Sequence, residues 1–189
     1  MAYKQILVDS CSYIRLAGNI FPLLGIPFGK EEYALYIHKD FNKEFEKNPR
    51  LVTKFDWLNE ERYREERKKK VISITKTQKE IVEDNFEYIW RFKKDNDLGI
   101  SLVDMYCLAT AMAIGIPIVS DDHDLLITAK EFEVETYTTA TILKIMLDRG
   151  FIDLETIDNL YVFLNYNRDL PSLLQKQYRI IFGKDPPKI

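Results

Sequence analysis

Hydrophobic positions along this chain fall into short continuous runs, separated by longer stretches with helical spacing. Tyr3 to Val8 contains Ile6-Leu7-Val8, an apolar run typical of a buried central strand, and it exits at Asp9-Ser10. Cys11 to Leu16 predicts a helix that Ser10 or Ser12 can cap. Gly18, Pro22, Gly25, Pro27 and Gly29 then make residues 18–30 irregular. Tyr33 to Ile37 is a second strand, ending at His38. Asp40 can cap a helix from Phe41 to Lys47, which Asn48-Pro49 stops. Phe41 and Phe45 lie four apart on its buried side, with Glu44 beside them. Leu51 to Lys70 predicts another helix, with Val52, Phe55, Trp57 and Leu58 on its apolar side. Its end, Glu60 to Lys70, is nearly all charged and reads first as a solvated face and second as a phosphate-binding one. Val71 to Ile74 predicts a short strand. Thr77 can cap a helix to about Lys94, with Val82, Phe86, Ile89 and Phe92 on one face.

Ser101-Leu-Val-Asp104 has the form of a capping box. The helix after it, Met105 to Ile114, is apolar nearly all round and must be buried on most sides. Gly115 ends it and Ile116-Pro117 turns the chain. Ile118-Val119-Ser120 is then a strand running straight into Asp121-Asp122-His123-Asp124, three acids within four residues. Phe132 to Tyr137 predicts a last strand. Thr138 or Thr139 caps a helix through Leu147, with Gly150 as its stop. Asp153 caps a helix to about Asn165, Ser172 to Phe182 is a third, and residues 184–189 form a frayed tail. Strands alternating with helices indicate βαβ units and a parallel sheet. Right-handed crossovers bring every strand's carboxyl end to one edge, where α/β proteins bind ligands.

That edge collects acids. Asp9, Asp121, Asp122 and Asp124 leave strands there, and Asp104 and Glu44, near helix starts, can reach it. Asp121 diverges from Asp122, because successive residues leaving a strand point apart. Carboxylates converging without clustered Cys or His suit a hard cation, Mg²⁺ or Mn²⁺ rather than Zn²⁺, and such ions suit phosphodiester hydrolysis. Each acid also has a plainer reading: Asp favours surface turns, Asp104 completes a capping box, and Glu44 is an ordinary helix glutamate.

The same residues carry a resemblance. Ile-Leu-Val-Asp9-Ser10 resembles the opening of a PIN domain. Asp40-Phe-Asn-Lys-Glu44-Phe45 resembles that family's second acidic motif, and Ser101-Leu-Val-Asp104 with Ala109 and Ala111 its third. Ile-Val-Ser120-Asp121-Asp122-His-Asp124-Leu resembles its fourth. Order and spacing match over residues 3–137, most closely the toxin ribonucleases of the VapC type. The resemblance implies a three-layer α/β/α sandwich around a mostly parallel sheet of four to five strands. It also implies a Mg²⁺- or Mn²⁺-dependent endoribonuclease acting on RNA, a homodimer, held inactive by a cognate antitoxin. Asp9, Asp104 and Asp122 would bind the first metal, with Glu44 as ligand or water-orienting base, and Asp124 would complete the site or bind a second ion. Ser10 and Ser120 would hydrogen-bond the metal's waters, and Arg15, Lys39 and Lys43 would contact phosphates. His123 is either a general acid or an exposed turn residue. Two features depart from a compact toxin: a charged insertion around residues 50–70, and a helical extension, 138–189, packed on the 1–137 domain. Glu44 has rivals in Asp40, Glu46, Glu60 and Glu61.

Composition narrows the picture further. A chain of 189 residues is long enough for one well-buried domain, and 46% hydrophobic with 30% charged residues is a globular balance. A net charge of -3 argues against a protein that coats nucleic acid through a broad basic surface. Cys11 and Cys107 lack metal-ligand spacing and read as buried, reduced thiols. No leader or membrane-spanning run is evident, so the expectation is a cytoplasmic protein. Two other classes compete. One is a PIN-like protein that binds nucleic acid, or processes RNA, without a toxin role. The other is a phosphatase-like enzyme, which needs a second Asp two residues after the first; after Asp9 that position is Cys11.

Overall fold

Ile6, Leu7 and Val8 are fully buried, while Lys4 and Gln5 at the start of the same strand are exposed. That gradient fixes β1 (Lys4–Val8) at the centre of the structure, a computed structural model that describes residues 3–188. After β1 come α1 (Ser10–Ala17), β2 (Tyr33–Ile37), α2 (Phe41–Lys47), α3 (Pro49–Lys54), a 3₁₀ turn (Asp56–Asn59) and α4 (Glu61–Lys69). They are followed by α5 (Lys76–Asp95), α6 (Leu102–Ile114), β3 (Ile118–Val119), α7 (His123–Glu131), β4 (Thr136–Tyr137), α8 (Thr139–Leu147), α9 (Leu154–Tyr166) and α10 (Ser172–Phe182). The sheet has four strands in the order β2-β1-β3-β4, all parallel.

Alternation along β1 divides the core into two layers, because successive side chains point to opposite faces. Ile6 and Val8 join Leu35, Ile37 and Val119 under α1, α2 and the C-terminal helices. Leu7 and Ile118 face the opposite layer, built from α5, α6 and α7. The result is the expected α/β/α sandwich. Ile157, Leu160 and Leu164 of α9 and Leu174 and Tyr178 of α10 belong to the first layer, so residues 138–182 share one core with the sheet.

Several expected elements take a different form. Of the strand expected over Val71–Ile74, only Val71 pairs, through a single parallel bridge to Ile37 beside β2. The strand expected over Phe132–Tyr137 shrinks to Thr136–Tyr137. The helix α7 runs up to Glu131, and residues 132–135 form the turn after it, with Glu133 at φ 55. The helix after Ile74 is capped by Thr75, not Thr77. Thr75 and Gln78 form a complete capping box two residues earlier than the equivalent Thr77/Glu80 pattern. Asp9, rather than Ser10 or Ser12, caps α1. Cys107 is buried as expected, but Cys11 is exposed on α1.

The helix expected over Leu51–Lys70 breaks at Phe55 (φ -124, ψ 46). A 3₁₀ turn follows, and Phe55 and Leu58 are both buried in the core. The charged stretch beyond it is not simply a solvated face. Glu66 turns inward and accepts the backbone N–H groups of Leu23 and Leu24 at 2.6 and 2.8 Å. Arg67 is only 2% exposed. Its Nε donates to Asn42 at 3.0 Å, one terminal nitrogen donates to the Leu58 carbonyl at 2.9 Å, and its guanidinium lies over the Phe41 ring. These bonds tie the 50–70 insertion to α2, the helix that bears Glu44.

Removing a buried, hydrogen-bonded cation leaves its acceptors unpaired. Arg67→Ala is therefore expected to destabilise the fold by about 3 kcal/mol in urea unfolding, whereas Lys68→Ala, on the exposed side of α4, should stay within about 0.5 kcal/mol.

Candidate active site

Register places the site. Val8 pairs with both Ile37 and Val119, and Val119 pairs with Tyr137. His38, Asp9, Ser120 and Thr138, the residues next after each strand, therefore line up along the carboxyl edge of the sheet. Asp9 is held there by its backbone N–H, which donates to the Val119 carbonyl at 3.1 Å. Its carboxylate accepts the Ser12 N–H at 2.6 Å as the N-cap of α1. Asp122 caps α7 in the same way, accepting the Leu125 N–H at 2.8 Å, and Ser120 Oγ accepts the Asp122 N–H at 3.0 Å. Asp104 stands in the first turn of α6, where the capping Ser101 donates its hydroxyl to the carboxylate at 2.8 Å. Glu44 is in the first turn of α2 and receives the Ser10 hydroxyl at 2.5 Å. Each of these carboxylates thus sits at or near a helix N-terminus, where the helix dipole favours negative charge.

Their electrostatics couple them. Asp104 is pushed up to about 7, first by burial and then by the negative charges of Asp9, Glu44 and Asp122, with the Ser101 hydroxyl opposing the shift. Asp9, 3% exposed, is also raised, chiefly by burial, against the Ser120 hydroxyl and the Ser12 amide. Among the described residues no Lys, Arg or His makes an ion pair with Asp9, Glu44, Asp104 or Asp122. An acid cluster that runs from buried Asp9 to exposed Asp122 without a basic partner suits a hard cation. Among the described residues the geometry is not a closed cage, because no three His, Cys, Asp or Glu side chains form a metal-holding group. Mg²⁺ needs none, since it usually keeps several waters and takes one or two carboxylates. The donor set therefore fits an open, water-rich site.

Other expected members lie elsewhere. Asp124 does not join the cluster: its carboxylate accepts the Gly99 N–H at 2.7 Å and lies beside the His123 ring, which pins the loop before Ser101. The side chain of His123 is 84% exposed. Asp121 accepts the Thr139 N–H and hydroxyl at 3.0 and 2.5 Å, and its charge adds to the raising of Asp9. Arg15 is not a free phosphate contact. Its guanidinium is largely buried between Asp121 and Asp169, at 3.5 Å from each. Lys43 pairs with Asp40 at 2.7 Å, and Lys39 is exposed. Of the rivals to Glu44, Asp40 is occupied by Lys43, Glu60 pairs with Arg62, and Glu46 and Glu61 line a separate hollow beside α4.

Sequence reasoning passed over His38. It is buried at the exit of β2, beside Asp9, and its Nδ1 accepts the Asp40 N–H at 3.3 Å, leaving the proton of the neutral ring on Nε2. Burial lowers it to about 4, with Asp40 opposing, so the ring is neutral at physiological pH. Its place directly after a strand was the available signal. Tyr106 was also passed over. It stacks on Phe86 at 4.2 Å and lies nearly parallel to His38 at 6.4 Å, and only the fold brings these three together.

The fold and these acids define an α/β/α protein with a carboxylate-lined site at the carboxyl edge of a parallel sheet. No protein-family model matches the chain, and no curated protein matches it. Among solved structures, FitAcB from Neisseria gonorrhoeae aligns over 71% of this chain and 97% of that one, at 13% sequence identity and a TM-score of 0.47. Among the described residues no helix is long and apolar enough to cross a membrane.

The raised carboxyl of Asp104 predicts a pH effect. A carboxyl that binds its proton more tightly folded than unfolded costs nothing below its unfolded pKa and its full penalty above its folded one. Stability in EDTA should therefore fall as pH rises from about 4 to above 7. Asp104→Asn should remove much of that slope, gaining about 2 kcal/mol at pH 8 and little at pH 4. Melting curves of both proteins at the two pH values check this; parallel slopes would show that the acids are not coupled.

Proposed function

We propose that this protein is a PIN-like, metal-dependent endoribonuclease that hydrolyses RNA phosphodiester bonds, and that it acts as a VapC-like toxin held by a cognate antitoxin. One observation carries the reading: at the sheet's carboxyl edge Asp104 feels the charges of Asp9, Glu44 and Asp122, and among the described residues none of the four has a basic ion-pair partner. The motif order in the sequence supports it. The exposed carboxylate of Asp122 and the open geometry leave room for a substrate phosphate.

Asp9, Asp104 and Asp122 would hold Mg²⁺ or Mn²⁺, one or two of them directly and the rest through its waters, with Glu44 alongside. A bound ion supplies a lowered pKa for attacking water and offsets charge on the phosphoryl oxygens. The chain's own residues then have distinct tasks. The Ser10 hydroxyl grips Glu44 at Oε2, which leaves Oε1 to orient a water and accept its proton. The Ser101 hydroxyl fixes the carboxylate of Asp104, and the Ser120 side chain, buried beside Asp9, holds the Asp122 backbone in place. Burial and the neighbouring charges favour the neutral form of Asp104, and a bound cation would favour its anion.

Purified protein is expected to cleave single-stranded RNA with Mg²⁺ or Mn²⁺ and to lose this activity in EDTA. Asp9→Asn, Asp104→Asn and Asp122→Asn should each reduce the rate at least about 100-fold while the fold is retained. Cleavage that survives excess chelator would overturn the metal mechanism. Expression of the wild type alone should arrest cell growth and Asp9→Asn should relieve it; cleavage in vitro without arrest would assign the protein to RNA processing instead.

A further inference from the structure

Beside the acids, a cleft of about 600 Å³ opens between α2 and the start of α6. Glu44 forms part of its wall, and Ser101, the partner of Asp104, another part. The cleft is therefore continuous with the candidate active site. Leu102, Val103 and Tyr106 make its apolar side, and Lys43 and Lys47 its basic rim. Leu102 is 57% exposed, a large apolar side chain left open one residue after a helix cap. Leu102 and Tyr106 are four residues apart on α6 and so share one face. Phe86 stacks on the Tyr106 ring at 4.2 Å between centroids, which restrains the ring before any ligand arrives, and the His38 ring lies nearly parallel to it at 6.4 Å. Lys43 is neutralised by Asp40, while Lys47 has no ion-pair partner among the described residues.

An apolar wall facing a cationic rim, next to carboxylates, matches the three parts of a nucleotide chain. The base needs an apolar surface, one phosphate needs a cation, and the neighbouring phosphate must lie at the acids. The volume falls within the range of small-ligand sites, roughly 300–1,000 Å³. A paired duplex would keep its bases from this wall, so the match is to an unstacked, single-stranded segment.

We propose that the cleft seats one nucleotide of a single-stranded RNA beside the phosphate to be cleaved, its base against Leu102 and the edge of Tyr106 and its phosphate at Lys47. This rests on the nuclease reading above, of which it specifies the substrate side. Leu102 and Tyr106 are specificity-determining contacts here; the chemistry stays with the acids.

The test measures binding of a short labelled RNA in EDTA, where no cleavage occurs, with a single abasic position moved along the strand. Wild type should lose about tenfold in affinity at one abasic position. Leu102→Asn should lose about tenfold on intact RNA and nothing more on that abasic strand, because the two changes remove the same contact. A melting curve unchanged from wild type establishes that Leu102→Asn is folded. Lys47→Gln should weaken every strand alike and flatten the salt dependence. A flat abasic scan, or losses that add in full, would overturn the cleft assignment; if wild type still cleaves with Mn²⁺, the nuclease reading survives that result. Base-dependent binding through Leu102 without any cleavage would uphold the cleft and overturn the nuclease reading instead. Absence of RNA binding would overturn the cleft assignment.

Discussion

Parallel pairing of β1 with both β2 and β3 is the constraint on which the rest depends. Because Val8 is in register with Ile37 and with Val119, three strand exits meet at one edge. Each exit leads into a polar residue or a helix start. Asp9 and Asp122 satisfy the N-terminal amides of α1 and α7, and the same geometry brings their charges toward Asp104 and Glu44. The helix caps and the acid cluster are one arrangement. Backbone amides offset part of the repulsion that the carboxylates create, and what remains adds to burial in raising the carboxyl of Asp104.

The two parts of the chain that depart from a compact domain both brace this edge. Arg67 in α4 holds Asn42 of α2, two residues before Glu44. At the other end, Arg15 spans Asp121, at the exit of β3, and Asp169, just beyond α9. Asp121 in turn binds the first residue of α8. The turn that carries Asp122 is thereby tied to the C-terminal helices, which share the core with β1. The insertion and the extension act on the candidate site through polar contacts with its supports rather than through residues of their own.

The acids divide by the hydrogen bonds available to them. Asp121, Asp122 and Asp124 are adjacent in sequence yet do three different things: Asp121 binds α8, Asp122 caps α7 and Asp124 binds Gly99. A strand exit that becomes a helix after only three residues points its side chains in widely separated directions. Divergence of Asp121 from Asp122 was legible from strand geometry. The departure of Asp124 was not, because it depends on where the 97–100 loop lies.

The sequence by itself determined the parallel α/β architecture, the central place of Ile6-Leu7-Val8, the buried α6 helix, and Asp9, Glu44, Asp104 and Asp122 as candidates. Those rest on local pattern: apolar runs, helical periodicity and caps, each decided within a few residues. Tertiary structure alone decided which acids feel one another, that Arg15 serves an internal ion pair, that Glu66 and Arg67 turn inward from a charged stretch, and that Leu102 and Tyr106 face a cleft. Each of these depends on contacts between residues distant in sequence. A charged or aromatic side chain has the same local signature whether it meets water, a partner or a ligand, and only the packing of the elements selects among them.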